Sequence, residues 1–212
     1  MRNVRVFYKK TGRMKFSSHL DMYRLMSRLL RISNVPIWYT EGFNQHPYLT
    51  FALPLSLGFT SEYEILDIKI IDDEYSDDML KNALISVFPE GLEVISVSAP
   101  EQKTGKIAFA EFKIVFENND KVFANSLTQF LSSESIITKK KTKKGAFKDI
   151  DLAPFIKNFD ITLEDNVVLK ITLVAGGEAS VNPTLLLSAF GELPEYSICR
   201  TMIYDSELNI FK

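Results

Sequence analysis

The chain carries two histidines, and one of them stands where proton-transfer chemistry is conceivable. His19 follows Ser17 and Ser18 at the start of a predicted helix, with Asp21 two residues further on. An imidazole can act as a general acid or base near neutral pH, so these residues resemble those of a hydrolytic active site. Residues this close at a helix start usually cap the helix instead. We therefore predict no catalytic residue and keep His19 as an alternative, and two histidines without joining carboxylates predict no metal site.

A row of three arginines follows on the same predicted helix, residues 18–33. Arg24, Arg28 and Arg31 are spaced i, i+4 and i+7, which places them on one stripe opposite an apolar face. Guanidinium groups are always charged and bind phosphate oxygens in a bidentate manner. The row therefore predicts contacts with an RNA backbone. The alternative is a solvated face, or a face paired with the acidic residues 62–101.

A second basic cluster is the lysine run "KKKTKKG" before Gly145. Its members are Lys139, Lys140, Lys141, Lys143 and Lys144. Lysines at a hairpin tip attract RNA without reading its sequence, because they release counterions from the phosphates. The alternative is that the lysines keep the hairpin soluble and protect an edge strand from pairing.

Composition narrows the possible classes of protein. The 212 residues include one cysteine, Cys199, which excludes disulfides, cysteine zinc sites and cysteine-ligated iron–sulfur clusters. Glycine-rich loops of the GxxxxGKS/T and GxGxxG types are also missing, so nucleotide and dinucleotide chemistry are not predicted. No resident cofactor is expected. Since no apolar run is long enough for a membrane helix or a signal peptide, we expect a cytoplasmic protein without membrane contact.

Charge is strongly segregated along the chain although the net charge is −2. Residues 1–48 and 102–148 are basic, and residues 62–101 and 149–212 are acidic. The alternation suggests two halves of similar design, each with a positive and a negative side. The alternative is that opposite blocks pair and stabilise each other.

The predicted elements support two similar halves. In the first half, "NVRVFYKK", "PIWYT", "YEILDIKII" and "GLEVISVSA" read as strands, with helices at "SSHLDMYRLMSRLLRIS" and "SDDMLKNALISVF". After a polar linker at residues 100–106 a similar order of strands and helices begins again. The order βαββαβ is that of a ferredoxin-like domain. We predict an α+β protein of two tandem ferredoxin-like domains with antiparallel sheets, residues 1–99 and 107–212.

The segment "EGFNQHPYLTFALPLSLG", residues 41–58, lies between the predicted second and third strands of the first half. Its prolines make it too interrupted for a central strand, and its apolar residues make it unlike a free loop. We interpret it as a semi-rigid excursion whose bend docks a partner. The docking residues are Gly42, Phe43, Asn44, Gln45, His46 and Pro47. A plain structural connection is the alternative.

Several of these stretches together resemble the radical-SAM-linked protein family, a bacterial family of unknown function. The resemblance lies in "GRMKFSSHLDMYRLMSRLLR", "EGFNQHPYLTFALPLSLG" and "SEYEILDI", and in the second half in "KKKTKKGAFKDIDLAPFI" and "CRTMIYD". Gln45 stands where family members typically carry proline after Gly-Phe-Asn. Asp149, Asp151 and Arg200 fall in the family-like stretches and are secondary site candidates.

Family members occur alone or fused to a cobalamin-binding radical SAM enzyme. The resemblance therefore implies a non-catalytic accessory module that works with such an enzyme in trans. Because the family tends to be encoded near RNA-processing and ribosomal functions, it also implies an RNA or ribosomal substrate. Two other interpretations stay open. One is a metal-independent endoribonuclease similar to the enzymes that process CRISPR repeats, and the other is a pure protein–protein adaptor.

Overall fold

The structure, a computed structural model, describes residues 1–141, 147–177 and 180–212. The chain divides into two compact units. Unit 1 comprises residues 1–104 and Lys212, and unit 2 comprises residues 105–211. Both units combine α-helices with antiparallel strands, which confirms the predicted α+β class.

Unit 1 follows the element order strand, helix, strand, strand, helix, strand. The elements are β1 (Arg2–Lys10), α1 (His19–Ile32), β2 (Leu49–Phe51), β3 (Thr60–Ile70), α2 (Asp77–Val87) and β4 (Leu92–Ser98). A short 3-10 helix at Gly12–Phe16 joins β1 to α1. The strands pair antiparallel in the order β4, β1, β3, β2.

The core of unit 1 lies between one face of these strands and the two helices. Alternate residues of β1 point to this face, starting with Val4 and Val6, because side chains of a strand alternate between its two sides. They pack with Met26 of α1 and Leu80 of α2, all of them buried. The helix therefore turns its apolar stripe inward and leaves the opposite stripe in solvent.

The basic residues of β1 pair with the acidic block of the same unit. The ion pairs join the Met1 amino group to Asp73, Arg2 to Asp77, Arg5 to Asp67, and Lys9 to Glu93. Arg5 is buried, and its Nε and one terminal nitrogen each lie 2.7 Å from a different carboxylate oxygen of Asp67. Pairing of opposite blocks thus accounts for Arg2, Arg5 and Lys9 of the strand.

Unit 2 has the same helix count as unit 1 and more strands. Its elements are β5 (Phe109–Phe116), α3 (Lys121–Leu131), β6 (Ile137–Lys141), β7 (Phe147–Asp151), β8 (Ile156–Leu163), β9 (Val167–Val174), α4 (Pro183–Phe190) and β10 (Tyr196–Tyr204). Four strands pair in the order β10, β5, β9, β8. The hairpin of β6 and β7 forms a sheet of its own.

An aromatic cluster holds the helices of unit 2 against its sheet. Phe123 of α3 contacts Phe116 of β5 and Phe190 of α4, with ring centroids 5.2 and 5.8 Å apart. Phe130 also meets Phe190 edge to face at 5.2 Å. Edge-to-face pairs of this kind stabilise a core beyond their buried area.

The predicted strand "PIWYT" is wrong. Residues 36–40 make only isolated bridges in the described part of the chain, because they meet the last residues of β3, where Trp38 N donates to Lys69 O. The second strand of unit 1 is instead β2, inside the segment that we expected to lie between strands. Pro47 and Pro54 flank it, which limits it to three residues at the sheet edge.

In unit 2 the sequence analysis missed β7 and β8. Three of the five residues of β7 are charged, so it shows no clean alternation of apolar residues. The edge strand β8 does alternate, with Phe159, Ile161 and Leu163 separated by polar residues, and that signal was overlooked. The predicted helix starts at Ser18 and Ser76 are confirmed, since each hydroxyl accepts a backbone N–H of the first turn. Among the described residues, no helix is both long and apolar enough to span a membrane.

Candidate functional site

Helix α1 carries His19 and the arginine row. A capping box sets where this helix begins. Ser18 Oγ accepts a hydrogen bond from the Asp21 backbone N–H at 3.2 Å, and Asp21 Oδ2 accepts from the Ser18 backbone N–H at 3.0 Å. The Ser18 hydroxyl also donates a hydrogen bond to Asp21 Oδ2 at 2.6 Å, and this bond, followed by the one from the Ser18 backbone N–H, holds the pKa of Asp21 below its ordinary value of 3.8. Ser18 and Asp21 therefore serve the helix start, whereas His19 is the first helical residue and is exposed.

The arginine row lies in solvent. Arg24, Arg28 and Arg31 are all exposed, and none of the three makes an ion pair or a side-chain hydrogen bond within the described ranges of the chain. Arg24 interacts electrostatically with Asp21, which lowers the pKa of that carboxyl further. The row is thus not paired with the acidic block of residues 62–101.

The bend at residues 38–48 is braced at its base. Trp38 and Tyr48 meet edge to face with centroids 5.6 Å apart, and the Lys69 ammonium lies 4.9 and 5.4 Å from the two rings. Backbone hydrogen bonds also join the two sides of the bend, since Thr40 N donates to His46 O. These hydrogen bonds and the cation–π contact at the base make the bend a stiff hairpin-like loop.

The tip of this loop is exposed. Phe43 is fully solvent-accessible, with a relative exposure of 108%, and Asn44, Gln45 and His46 are exposed beside it. Gly42 has φ +117°, a conformation that L side chains rarely adopt, so glycine is required for the bend. Pro47 is buried and anchors the end of the tip.

The loop tip is fastened to α1. The Tyr23 hydroxyl lies 3.0 Å from His46 Nδ1, and the two rings meet edge to face at 6.1 Å. Tyr23 directly precedes Arg24 in the helix. The exposed tip is therefore fastened to α1 at the residue that precedes the arginine row.

A further exposed aromatic residue lies just before α1. Phe16 ends the 3-10 helix with 68% of its surface accessible. The Lys15 ammonium lies 5.1 Å from the centroid of the same ring. An exposed aromatic ring and a cation thus lie just before the N-terminal end of α1.

Beneath the start of α1 lies a pocket that the sequence analysis missed. Its walls come from β1, β3, α1 and the segment 51–55. The lining residues are Tyr8, Lys10, His19, Met22, Phe51, Leu55 and Glu64. The pocket is open to solvent on one side, and its enclosed part is about the size of one water molecule.

Two charged residues of this pocket are buried. Lys10 is 2% exposed and Glu64 is 3% exposed, and Lys10 Nζ donates a hydrogen bond to Ser17 O at 3.0 Å. His19 closes one side, with its ring edge to face against Phe51 at 5.2 Å. The signal was present in the sequence. Lys10 occupies a position of the predicted strand whose side chain should point toward the core, where apolar residues are expected.

The lysine run of unit 2 is described in part. Lys139 is exposed on β6, and Lys140 and Lys141 complete that strand. Lys143 and Lys144 lie outside the described residues. The described part of the run thus forms the end of β6 in its hairpin with β7, and the RNA-binding role of the run stays a prediction.

The secondary candidates occupy different environments. Asp151 accepts hydrogen bonds from the Ile136 and Ala153 backbone N–H groups at 2.8 and 3.0 Å, which lowers its pKa. Both bonds bind backbone groups of the same unit, which indicates a structural role for Asp151. Asp149 is exposed opposite Lys139, and Arg200 is buried on β10 with 2% exposure. The described part of the chain contains no group of three or more His, Cys, Asp or Glu side chains that could hold a metal ion.

Comparison with solved structures finds a likeness of fold. A chain of the structure entitled "Crystal Structure of a Cbf5-Nop10-Gar1 Complex" superposes with a TM-score of 0.50 and 9% sequence identity over 93% of the present chain. The present chain spans about half of that chain, 48% of its length. No curated protein gives a significant match.

Comparison with protein families gives a match over most of the chain. A family model covers residues 3–183, which include residues 3–104 of unit 1, the lysine run and Asp149 and Asp151. Arg200 lies outside the matched range. The chain belongs to the family described as "uncharacterized protein conserved in bacteria (DUF2344)".

Proposed function

We propose that the protein is an RNA-binding accessory module that presents an RNA or ribosomal substrate to a radical SAM enzyme acting in trans. The observation that carries the proposal is the arginine row, which is exposed, without an ion pair in the described chain, and next to the exposed loop tip. Such a row matches the spacing and charge of a phosphate backbone.

The aromatic residues around the row support RNA over an acidic protein. Phe43 is fully exposed and Phe16 is 68% exposed, so both rings are accessible for stacking. Unpaired bases stack on aromatic rings while arginines hold the phosphates between them. The combination favours single-stranded RNA.

The accessory role rests on the sequence and on the resemblance to the radical-SAM-linked family. A single cysteine cannot ligate a radical SAM cluster, so that chemistry would belong to the partner enzyme. The stiff loop of residues 42–47 offers a surface for the partner as well as for RNA, as its docking role predicts.

We interpret the two units as tandem ferredoxin-like domains, residues 1–99 and 107–212. Support comes from strand order, since the first, third and fourth main strands of each unit pair in the same way. When the hairpin of β6 and β7 is left out, each unit has four strands. Numbered by their order along the chain, these strands lie in the order fourth, first, third, second across the sheet in both units.

The proposal is tested by ultraviolet crosslinking of bulk cellular RNA to the purified protein, followed by mass spectrometry of the crosslinked peptides. We expect crosslinks within residues 16–31 and 41–48, where the exposed rings lie. Absence of any crosslink at low salt would contradict RNA binding and leave the adaptor.

The link to a radical SAM enzyme needs its own test. The purified protein is mixed with a cobalamin-binding radical SAM protein encoded in the same genome, and complex formation is measured by light scattering with and without RNA. We expect a complex that weakens when Gln45 and His46 are changed to Ala. No complex under either condition would contradict the accessory role while leaving RNA binding intact.

A second function, metal-independent RNA cleavage, is favoured by one observation: His19 lines the pocket that holds Lys10 and Glu64. An imidazole there could take the proton of a ribose 2′-hydroxyl as it attacks the adjacent phosphorus. The products are a 2′,3′-cyclic phosphate and a 5′-hydroxyl that receives a proton. Cleavage in the presence of a chelator that His19→Ala abolishes would establish it, and binding without cleavage would exclude it.

A further inference from the structure

Three side chains at the base of the loop, those of Trp38, Tyr48 and Lys69, form a fixed cluster of two rings and one cation. The Lys69 ammonium lies 4.9 Å from the Trp38 ring centroid and 5.4 Å from that of Tyr48. Backbone hydrogen bonds hold the three residues side by side, because Tyr48 N donates to Trp38 O and Trp38 N donates to Lys69 O. The cluster therefore needs no rearrangement before it meets a ligand.

Lys69 carries a charge that no carboxylate neutralises in the described part of the chain. Its partner across β1 is Asn3, which is uncharged. Asp67 lies two residues earlier on the same face of β3, but both of its carboxylate oxygens accept hydrogen bonds from Arg5. The described residues give Lys69 no ion pair. A ring attracts the ammonium but leaves its N–H groups without an oxygen acceptor.

The two rings carry further hydrogen-bond donors. Within the described ranges, neither the Trp38 indole N–H nor the Tyr48 hydroxyl makes a hydrogen bond to the protein. Tyr48 is 37% exposed, and Trp38 and Lys69 are half-buried, so solvent reaches the cluster. An ammonium, an indole N–H and a hydroxyl together, with no free carboxylate among them, suit an oxyanion such as phosphate.

We propose that Trp38, Tyr48 and Lys69 form a subsite for one nucleotide of a single strand of RNA. The Lys69 ammonium holds a phosphate oxygen, and the adjoining base lies against the exposed part of the two rings. The inference rests on the proposed function. It adds a second place, besides the arginine row, at which unit 1 holds the phosphates of that strand.

The subsite and the loop tip belong to one stiff loop. Phe43 precedes Tyr48 by five residues, which span at most roughly 17 Å of extended backbone. A single strand that stacks a base on Phe43 can therefore place another of its nucleotides at the base of the same loop. The RNA surface then extends from the tip of the loop to the sheet edge at β3.

The contact can be observed directly, because Trp38 is the only tryptophan of the chain. An oligouridine strand and an abasic strand of the same length and charge are added to the wild-type protein. Trp38 fluorescence reports contact with the cluster, and anisotropy of a dye-labelled copy of each strand reports total binding. We expect oligouridine to quench Trp38, and the abasic strand to bind roughly tenfold more weakly and to leave the emission nearly unchanged.

A protein variant tests the phosphate contact. Lys69→Gln removes the charge and should lower the slope of log affinity against log salt by about 0.7, the share of one phosphate contact. Loosening of the loop alone would reduce affinity without changing this slope. Lys81→Gln is the matched control, since Lys81 is a half-buried lysine of α2 with no ion pair in the described chain. It should keep the wild-type slope.

The outcomes separate the two proposals. Binding of oligouridine that depends on the arginine row but leaves Trp38 emission unchanged would overturn the subsite and leave the proposed function standing. Equal quenching by the abasic strand would overturn stacking of a base on the rings. An unchanged salt slope in Lys69→Gln would overturn the phosphate contact. No binding of any strand would overturn both proposals, and this result in the wild-type protein does not depend on the folding of a variant.

Discussion

The basic residues of β1 and those of α1 belong to the same positive block of the sequence but have opposite surroundings. The strand cations are paired: Arg5 forms a buried bidentate pair with Asp67, and Lys9 pairs with Glu93 at the surface. The arginines of α1 are exposed, and the described chain offers them no ion pair.

This difference shows that segregation of charge along a sequence has two separate causes. Strand cations stand across the sheet from the acidic residues of neighbouring strands, so the fold satisfies them. The α1 stripe points away from that sheet, and apart from the electrostatic interaction of Arg24 with Asp21 its charges remain available to an external polyanion. The comparison predicts that changes at β1 affect stability, whereas changes at α1 affect binding.

The largest effect on stability is expected at the buried pair of β1. Asp67→Asn would leave the buried Arg5 guanidinium without the carboxylate that binds it in two places. We expect a loss of about 3 kcal/mol in the free energy of unfolding, measured by chemical denaturation. RNA affinity of the folded variant should match wild type, and a large loss of affinity would break the separation between strand and helix.

A smaller effect, on binding alone, is expected at the loop tip. Phe43→Ala should weaken binding of single-stranded RNA by roughly tenfold, because a stacked base is lost. Binding of a double-stranded RNA should not change, since its bases are not available for stacking. Unfolding should also be unchanged, because the side chain is fully exposed. Equal loss for single and double strands would show that Phe43 does not stack on a base.

A pH effect is expected from the capping box of α1. The pKa of Asp21 is lowered in the folded state, so its contribution to stability is present above its unfolded value and is lost as pH falls through the folded value. Wild type should lose stability below about pH 4 more steeply than Asp21→Asn. Parallel pH profiles of the two proteins, from thermal melts, would contradict a role for the carboxylate in the cap.

The smallest effect is expected at the exposed ion pair of the strand. Lys9 and Glu93 are both well exposed, at 37% and 66% of their side-chain surface. Lys9→Ala should change the free energy of unfolding by less than about 1 kcal/mol, as exposed pairs commonly do. Compared with Asp67→Asn in the same denaturation experiment, it separates the effect of burial from that of charge pairing.

The helices could be predicted because residues within one turn of each helix start mark where it begins. Ser18 with Asp21, Ser76 and Pro183 mark helix starts through chemistry that acts within one turn. The short strand β2 was not predicted because it has only three residues between Pro47 and Pro54. The strand β8 was missed although Phe159, Ile161 and Leu163 alternate with polar residues and its partner β9 is the next strand along the chain.

The candidate site, too, could be predicted only in part. The arginine row follows from helical spacing alone, so Arg24, Arg28 and Arg31 were found. The pocket depends on tertiary contacts: Lys10 and Glu64 are far apart in sequence, and the register of β1 against β3 brings them together. Only the inward phase of Lys10 on its strand could have indicated it.

The most direct test of the central claim is the salt dependence of RNA binding by the variant with Arg24, Arg28 and Arg31 changed to Ala. A variant with the exposed Lys103, Lys113 and Lys121 changed to Ala carries the same loss of charge as a matched control. For single strands each lost phosphate contact lowers the slope of log affinity against log salt by about 0.7, so the arginine variant should lose about 2. The control should keep the wild-type slope. Identical slopes for wild type and the arginine variant would contradict an RNA-binding role for α1.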